Sequence, residues 1–453
     1  MGKLKKIARS IIYERNMLSL AGNMSYALFG FISFIILTRS LSKENFGLYV
    51  LYVTTGTFID LFRFGLTRNA VIRFLSGAKG EERLRILGSN TLIGIVLVLI
   101  ITIVIYIILA IFPVSINNSG FKYFFWFYPL LAFSNLFWNN AVSILQSWQA
   151  FGRILVLRMV NIVSFVIFLI INLFWLKLDV IWIIWANIAS NLLSSLLSFV
   201  KKWDGTTFIK HSTRQNVKQI IDFGKYAVGT MLGSSLLRSA DTFLIGLAPF
   251  LGAVGVAKYV IPLKLTEVIE IPLRSFMATA FPKLSKASIE KRKEEWKEIF
   301  YSYGGAITLI FIPFTLLLFI FAGPIVLLLG GERYRDSLDL LTLIFRIFTV
   351  YGLILPLDRI SGVALDSINK PDKNLWKVIF MATANIIGDL IAIYIFKSLF
   401  WVAMATILNT IVGLIMGYYY LSKFETIEYR KFLINGIRFF KDLKHKGLQT
   451  LKK

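Results

Sequence analysis

GSNTLIGIVLVLIITIVIYIILAIF, residues 88–112, runs for twenty-five positions without a charged residue or a proline. A helix of that length exceeds the ~30 Å hydrocarbon core of a bilayer, and a barrel strand needs only about ten residues. Backbone donors and acceptors in lipid must be satisfied within the segment, so this stretch is read as a membrane-spanning helix. Working outward from it, eleven further apolar stretches give expected spans at 18–38, 46–66, 122–145, 155–176, 180–200, 221–247, 253–281, 302–322, 338–359, 376–396 and 399–421. The composition agrees, with 57% hydrophobic residues over 453 positions. Twelve spans leave no room for a sizeable soluble domain.

Orientation is read from Lys and Arg. Of 50 such residues, 35 fall with the N-terminal segment, the 2/3, 4/5, 6/7, 8/9 and 10/11 loops and the tail, and 7 on the opposite side. The positive-inside rule then puts both termini in the cytoplasm, in a multi-pass protein of the cell membrane. The formal net charge of +25 is a topology and lipid-surface signal, with no nucleic-acid partner required. The first span follows a basic segment and is too long for a cleaved leader, so it is expected to stay as an anchor. With no cysteine, disulfides and thiolate metal sites are excluded, and His211 and His445 fall in cytoplasmic segments as solvated surface. No phosphate-binding loop or nucleophile elbow occurs, which argues against ATP hydrolysis or another enzymatic activity on this chain.

Two halves align at an offset of about 208 residues, Phe46-Gly47-Leu48-Tyr49 falling on Val254-Gly255-Val256-Ala257. The expected organisation is a basic amphipathic segment at 1–17, a six-helix bundle at 18–200, a cytoplasmic linker at 201–220, a second six-helix bundle at 221–421 and a basic tail at 422–453. Six is even, so the repeats are parallel, related by an axis along the membrane normal. Leu433, Ile437, Phe440 and Leu448 recur at helical spacing among Arg430, Lys431, Arg438, Lys441 and Lys444, a pattern suited to an anionic leaflet.

The deep charges are the functional signal. Asp60 with Arg63, Arg238 with Asp241, and Lys264 with Glu267 are three residues apart, and Glu270 with Arg274 four, so each pair shares a helix face. On span 8, Lys264, Glu267, Glu270 and Arg274 lie within an arc of about 120°. Cations thus occur through the whole depth, Arg238 toward the outer side, Lys264 near the middle, and Arg63 and Arg274 toward the cytoplasm. Such a ladder suits an anionic headgroup passed between leaflets. Matched acids make paired helix glue the plainer alternative. A second grouping, Asn385 and Asp389 on one face of span 11 with Asp241 on span 7 and Thr406 or Thr410 on span 12, offers hard oxygens to an alkali ion or a seat for a proton. Inter-helix hydrogen bonding is the alternative there.

LTRSLSKENFGLY (37–49), FGLTR (64–68), RFL (73–75), SADTFLIG (239–246), GVAKY (255–259) and FPKLS (281–285) resemble the polysaccharide and O-antigen flippases of the multidrug/oligosaccharidyl-lipid/polysaccharide exporter superfamily over about residues 15–422. The resemblance implies an all-α integral membrane fold of twelve transmembrane helices, in two six-helix bundles related by a pseudo-two-fold axis, around a central V-shaped cavity. It implies movement of a polyprenyl-diphosphate oligosaccharide to the outer leaflet by alternating access, with no cofactor beyond a coupling Na+ or H+. The diphosphate would meet Arg39, Arg63, Arg68, Arg238, Lys264 and Arg274, with Asp60, Asp241, Glu267 and Glu270 as cavity acids. The sodium site of related lipid II flippases is similar to the grouping of Asp241, Asn385 and Asp389. Expected partners are that lipid-linked substrate, anionic lipids, and a polymerase or glycosyltransferases, for a monomeric transporter. Cation-coupled multidrug exporters, lipid II flippases with fourteen helices, and a non-transporting scaffold for glycosyltransferases are the rival readings.

Overall fold

The computed structural model describes residues 15–451, in which every regular element is helical. The expected amphipathic segment at 1–17 lies almost wholly outside those residues. The long helices are α1 Arg15–Ser40, α2 Lys43–Gly77, α3 Gly80–Ile111, α4 Lys122–Ser147, α5 Phe151–Ile171, α6 Val180–Val200, α7 Arg214–Leu247, α8 Gly252–Ile289, α9 Lys293–Ile320, α10 Leu338–Ser367, α11 Pro371–Leu390, α12 Leu399–Ser422 and α13 Arg430–Leu451. Among the described residues, seven segments are long and apolar enough to cross a membrane, those of α3, α5, α6, α9, α10, α11 and α12. The set leaves out α1, α2, α4, α7 and α8, of which α2, α7 and α8 carry deep charges. The protein is an all-helical, multi-pass membrane protein.

The segment that opened the reading behaves as a lipid-facing wall. Along α3, Leu99, Ile100, Ile103, Val104 and Ile107 are exposed while Val98 and Ile105 are buried, so one narrow stripe packs and the rest meets hydrocarbon. The buried stripes carry small and polar residues instead. In the N-terminal half Trp138 Nε1 donates to Asn191 Oδ1 at 3.0 Å and Ser194 Oγ to the Leu157 carbonyl at 3.1 Å. Hydrogen bonds between helices replace the hydrophobic drive that lipid removes.

The chain divides into two compact units, Met1–Ser239 with Gly252–Ala257, and Ala240–Leu251 with Lys258–Lys453. The expected second half begins at 221, whereas the first unit keeps α7 through Ser239. The reason is local packing: a Cβ on Gly224 would lie 1.8 Å from the Leu66 carbonyl oxygen, and the Phe223 ring meets Phe74 at 5.5 Å. The linker before α7 folds as a short 3-10 helix, Thr206–His211. Thr91 Oγ1 donates to the Asp204 carbonyl at 3.1 Å, and burial lifts the Asp204 carboxyl above the ordinary carboxylate range.

Internal repetition is visible in the backbone. α5 and α11 both end in a π-helical turn, Asn172–Leu176 and Ile391–Ile395, and a left-handed lysine follows each, Lys177 at φ 51° and Lys397 at φ 50°. Left-handed Gln149 and Asn369 close α4 and α10 in the same way. Both pairs are 220 residues apart, so equivalent helices in the two halves terminate by one device.

α13 packs tightly on α9. Phe432 is 7% exposed, ringed by Phe300 at 5.1 Å and Tyr301 at 5.0 Å. A Cβ on Gly305 would stand 1.8 Å from the Phe432 carbonyl oxygen, so only glycine admits this backbone approach. Gly305→Leu is expected to push α13 away, costing about 1–3 kcal/mol from overpacking and further burial lost at Phe432. Limited trypsin digestion should then cut between residues 423 and 431 several times faster than in the wild type. An unchanged rate would mean that the helix is held by other contacts.

Candidate functional site

Arg63 sits at the centre of a polar knot in the first unit. One helical turn on α2 separates it from Asp60, and its Nη1 reaches Asp60 Oδ1 at 2.7 Å. α4 supplies the rest: Nη1 also donates to Asn135 Oδ1 at 3.2 Å and Nη2 to the Ala132 carbonyl at 2.8 Å. Tyr128 Oη and Asn135 Nδ2 in turn donate to Asp60 at 2.8 and 2.7 Å. Arg63 is 2% exposed. Its charge is therefore balanced inside the helix bundle, and sequence spacing found the ion pair but not Tyr128 or Asn135, which belong to another helix. A cavity of about 140 Å³ adjoins the knot, lined by Thr57, Asp60, Phe64, Arg68, Asn139 and Met231. Of the other expected cations in this unit, Arg68 donates to Gln146 Oε1 at 3.0 Å, and Arg39 and Arg238 are exposed on α1 and α7.

The second unit holds the span 8 stripe. Lys264 Nζ meets Glu267 Oε2 at 2.7 Å, and Arg274 Nη2 meets Glu270 Oε2 at 2.6 Å. A residue from α10, Arg359, approaches the other Glu270 oxygen at 3.8 Å. Side-chain exposures of 26% for Lys264, 60% for Glu267 and 57% for Arg274 separate this stripe from the sealed Arg63 knot. Such pairs can open to exchange a protein partner for a ligand.

The third constellation is buried in the second unit. Asn385 Nδ2 donates to Asp241 Oδ1 at 2.8 Å and to Asp389 Oδ2 at 2.9 Å, so one amide holds two carboxylates from α7 and α11. Tyr259 Oη donates to Asp241 Oδ2, and Asn409 Nδ2 to Asn385 Oδ1. Thr410 Oγ1 reaches Asn409 Oδ1 at 3.1 Å and the Thr406 carbonyl at 2.8 Å. Asp241 and Asp389 are 6% and 0% exposed, and Asp389 Oδ1 has no hydrogen-bond donor among the described residues. Two buried carboxylates with an orphaned oxygen, surrounded by amides and hydroxyls, fit an alkali cation or a retained proton. Tyr259 and Asn409 complete a grouping that the sequence suggested through its other members. Among the described residues, no group of three or more His, Cys, Asp or Glu side chains forms a metal cluster.

One buried pair escaped the sequence reading. Lys377, near the start of α11, is 3% exposed, with Nζ on Asp358 Oδ1 and the Asp358 carbonyl, both at 2.7 Å. Its position at the margin of an expected span gave no signal of burial.

A family model described as polysaccharide biosynthesis protein matches residues 15–288. The chain belongs to the polysaccharide biosynthesis protein family. Over 225 residues this family member is 22% identical to the probable low-salt glycan biosynthesis flippase Agl15 of Haloferax volcanii. That stretch is 50% of the chain and 46% of the relative, so the match spans about half the length of that curated protein. In solved structures, the chain superposes on an inward-facing multidrug resistance MATE family transporter of the MOP superfamily with a TM-score of 0.73 at 18% identity, covering 90% of this chain and 99% of that one. The lipid II flippase MurJ in an inward closed conformation gives 0.73 at 15% identity, over 96% and 93%. A MOP superfamily transporter from Pyrococcus furiosus gives 0.58 at 17%, over 90% and 94%. At these identities the likeness carries the fold alone, and the chain has a MATE- and MurJ-like fold.

Proposed function

We propose that this protein is a flippase that carries a polyprenyl-diphosphate-linked oligosaccharide from the cytoplasmic to the outer leaflet for cell-surface polysaccharide assembly. The carrying observation is the α8 stripe, four charged side chains over three turns of a membrane helix in a member of a polysaccharide biosynthesis family. A charge facing lipid costs about 3 kcal/mol on the insertion scale, so partly exposed ones belong on a wet path. Twelve spans, two six-helix bundles, a central cavity and cytoplasmic termini complete the reading, with alternating access as its motion. Arg39, Arg63, Arg68, Arg238, Lys264 and Arg274 supply its cations, Arg63 by positioning rather than by contact. The protein performs no covalent chemistry. On α13, exposed Leu433, Ile434 and Ile437 beside Arg430, Arg438 and Lys441 suit the anionic inner leaflet. A multidrug exporter for cations fits less well, because Glu267 and Glu270 each have a basic partner.

Lys264→Ala tests the reading. In a deletion strain complemented with the variant, surface glycan is expected to fall at least tenfold with membrane protein at wild-type level, because a cation for the diphosphate is lost while only a half-exposed pair is broken. Wild-type glycan would remove α8 from the transport path.

A further inference from the structure

A small cavity of about 90 Å³ in the first unit is lined by Gly22, Asn23, Arg68, Gln146, Phe151 and Arg158 among others. It lies where the start of α1, the end of α4 and the start of α5 meet the side of α2. Two arginines, Arg68 and Arg158, line it together, and both are half-buried. Among the described residues each makes one side-chain hydrogen bond, to a neutral amide oxygen, Arg68 to Gln146 at 3.0 Å and Arg158 to Asn23, and Arg158 also lies over the Tyr26 ring at 5.9 Å. Neither has a carboxylate partner among the described residues. The contrast with Arg63 is instructive, since that guanidinium is balanced by Asp60 and sealed. A guanidinium carries five N–H donors in a planar fork. At this cavity most of them remain for a ligand.

Bringing two like charges together out of bulk water is unfavourable unless an anion joins them. A water needs about 10–15 Å³ of such space, so the cavity takes several waters or a phosphoryl group. We propose that Arg68 and Arg158 form a phosphate-ester binding site, an intake position for the diphosphate of a lipid-linked substrate. The role of Arg158 as an anion ligand is new. The lipid source of the phosphate rests on the function proposed above; the anion site itself does not.

The test uses the full chain in nanodiscs, titrated with inorganic pyrophosphate and, separately, farnesyl diphosphate, with Kd as the readout. Arg158→Gln removes one fork, and Gln146→Glu adds a carboxylate that pairs with Arg68 and competes with the ligand while leaving the fold supported. Saturable binding is expected for both probes, at least tenfold tighter for farnesyl diphosphate, with each variant weakening both at least tenfold. Equal affinity for the two probes would keep the anion site and overturn the lipid source. Absent saturable binding, or unchanged affinity in both variants, would overturn the site. Surface glycan in the same strains separates the readings: binding without any transport by the wild type sinks the flippase function and leaves the phosphate site standing.

Discussion

Arg63→Ala is expected to lose several kcal/mol of stability and nearly all surface glycan. Removing one partner of a buried ion pair costs about 3–5 kcal/mol, because the other charge stays behind without compensation. Here the loss also strips Asn135 Oδ1 and the Ala132 carbonyl of a donor. Asp60 keeps Tyr128 and Asn135 and is 20% exposed on its side chain, which draws the figure toward the lower end. Against a total of about 5–15 kcal/mol the loss is large enough to reduce the amount of folded protein. Thermal unfolding in detergent should therefore shift down by several degrees. Asp60→Asn/Arg63→Met, which removes both charges, should recover most of that shift. A wild-type melting temperature in Arg63→Ala would contradict the role of the knot, and recovery of stability without glycan in the double variant would assign the charge to transport as well.

Asp389→Asn is expected to uncouple transport from an ion gradient. Asp241 and Asp389 share the Asn385 amide, and Tyr259 donates to Asp241 as well. Two buried carboxylates coexist as anions only with a cation between them, and otherwise one keeps its proton. Asp241, Asn385, Asp389 and the Thr406 and Thr410 oxygens would hold that ion, with Tyr259 and Asn409 orienting the first two. In proteoliposomes an imposed sodium or proton gradient should speed flipping by the wild type several-fold. The Asp389→Asn variant, isosteric and uncharged, should keep a slow rate that neither gradient changes. Insensitivity of the wild type to both gradients would reduce the cluster to helix packing.

Much of the candidate site was legible because helical spacing is legible. Three- and four-residue separations predicted the pairs of Asp60 with Arg63, Lys264 with Glu267 and Glu270 with Arg274, and all three form. Asn385 with Asp389 followed from the same rule. Asp241, at the same spacing from Arg238, also bonds Tyr259 and Asn385 on other helices. Partners on other helices carry no such period. Tyr128, Tyr259 and Asn409 are ordinary residues in apolar runs until a neighbouring helix brings them to a charge.

The basic residues near helix ends divide sequence from structure most clearly. A count of Lys and Arg treats each as solvated, which is sound for topology, since insertion depends on the free-energy cost of each segment in turn. Length and hydropathy likewise determined by themselves that this is a helical membrane protein, because the bilayer constrains a span independently of its neighbours. Tertiary structure alone decided that Lys377 is sealed beside Asp358, that Arg158 meets Arg68 across a cavity, and that Arg63 is closed off by α4. Whether a charge ends in water, in an ion pair or beside a cavity depends on which helices pack against it, and that information is absent from the period of any single helix.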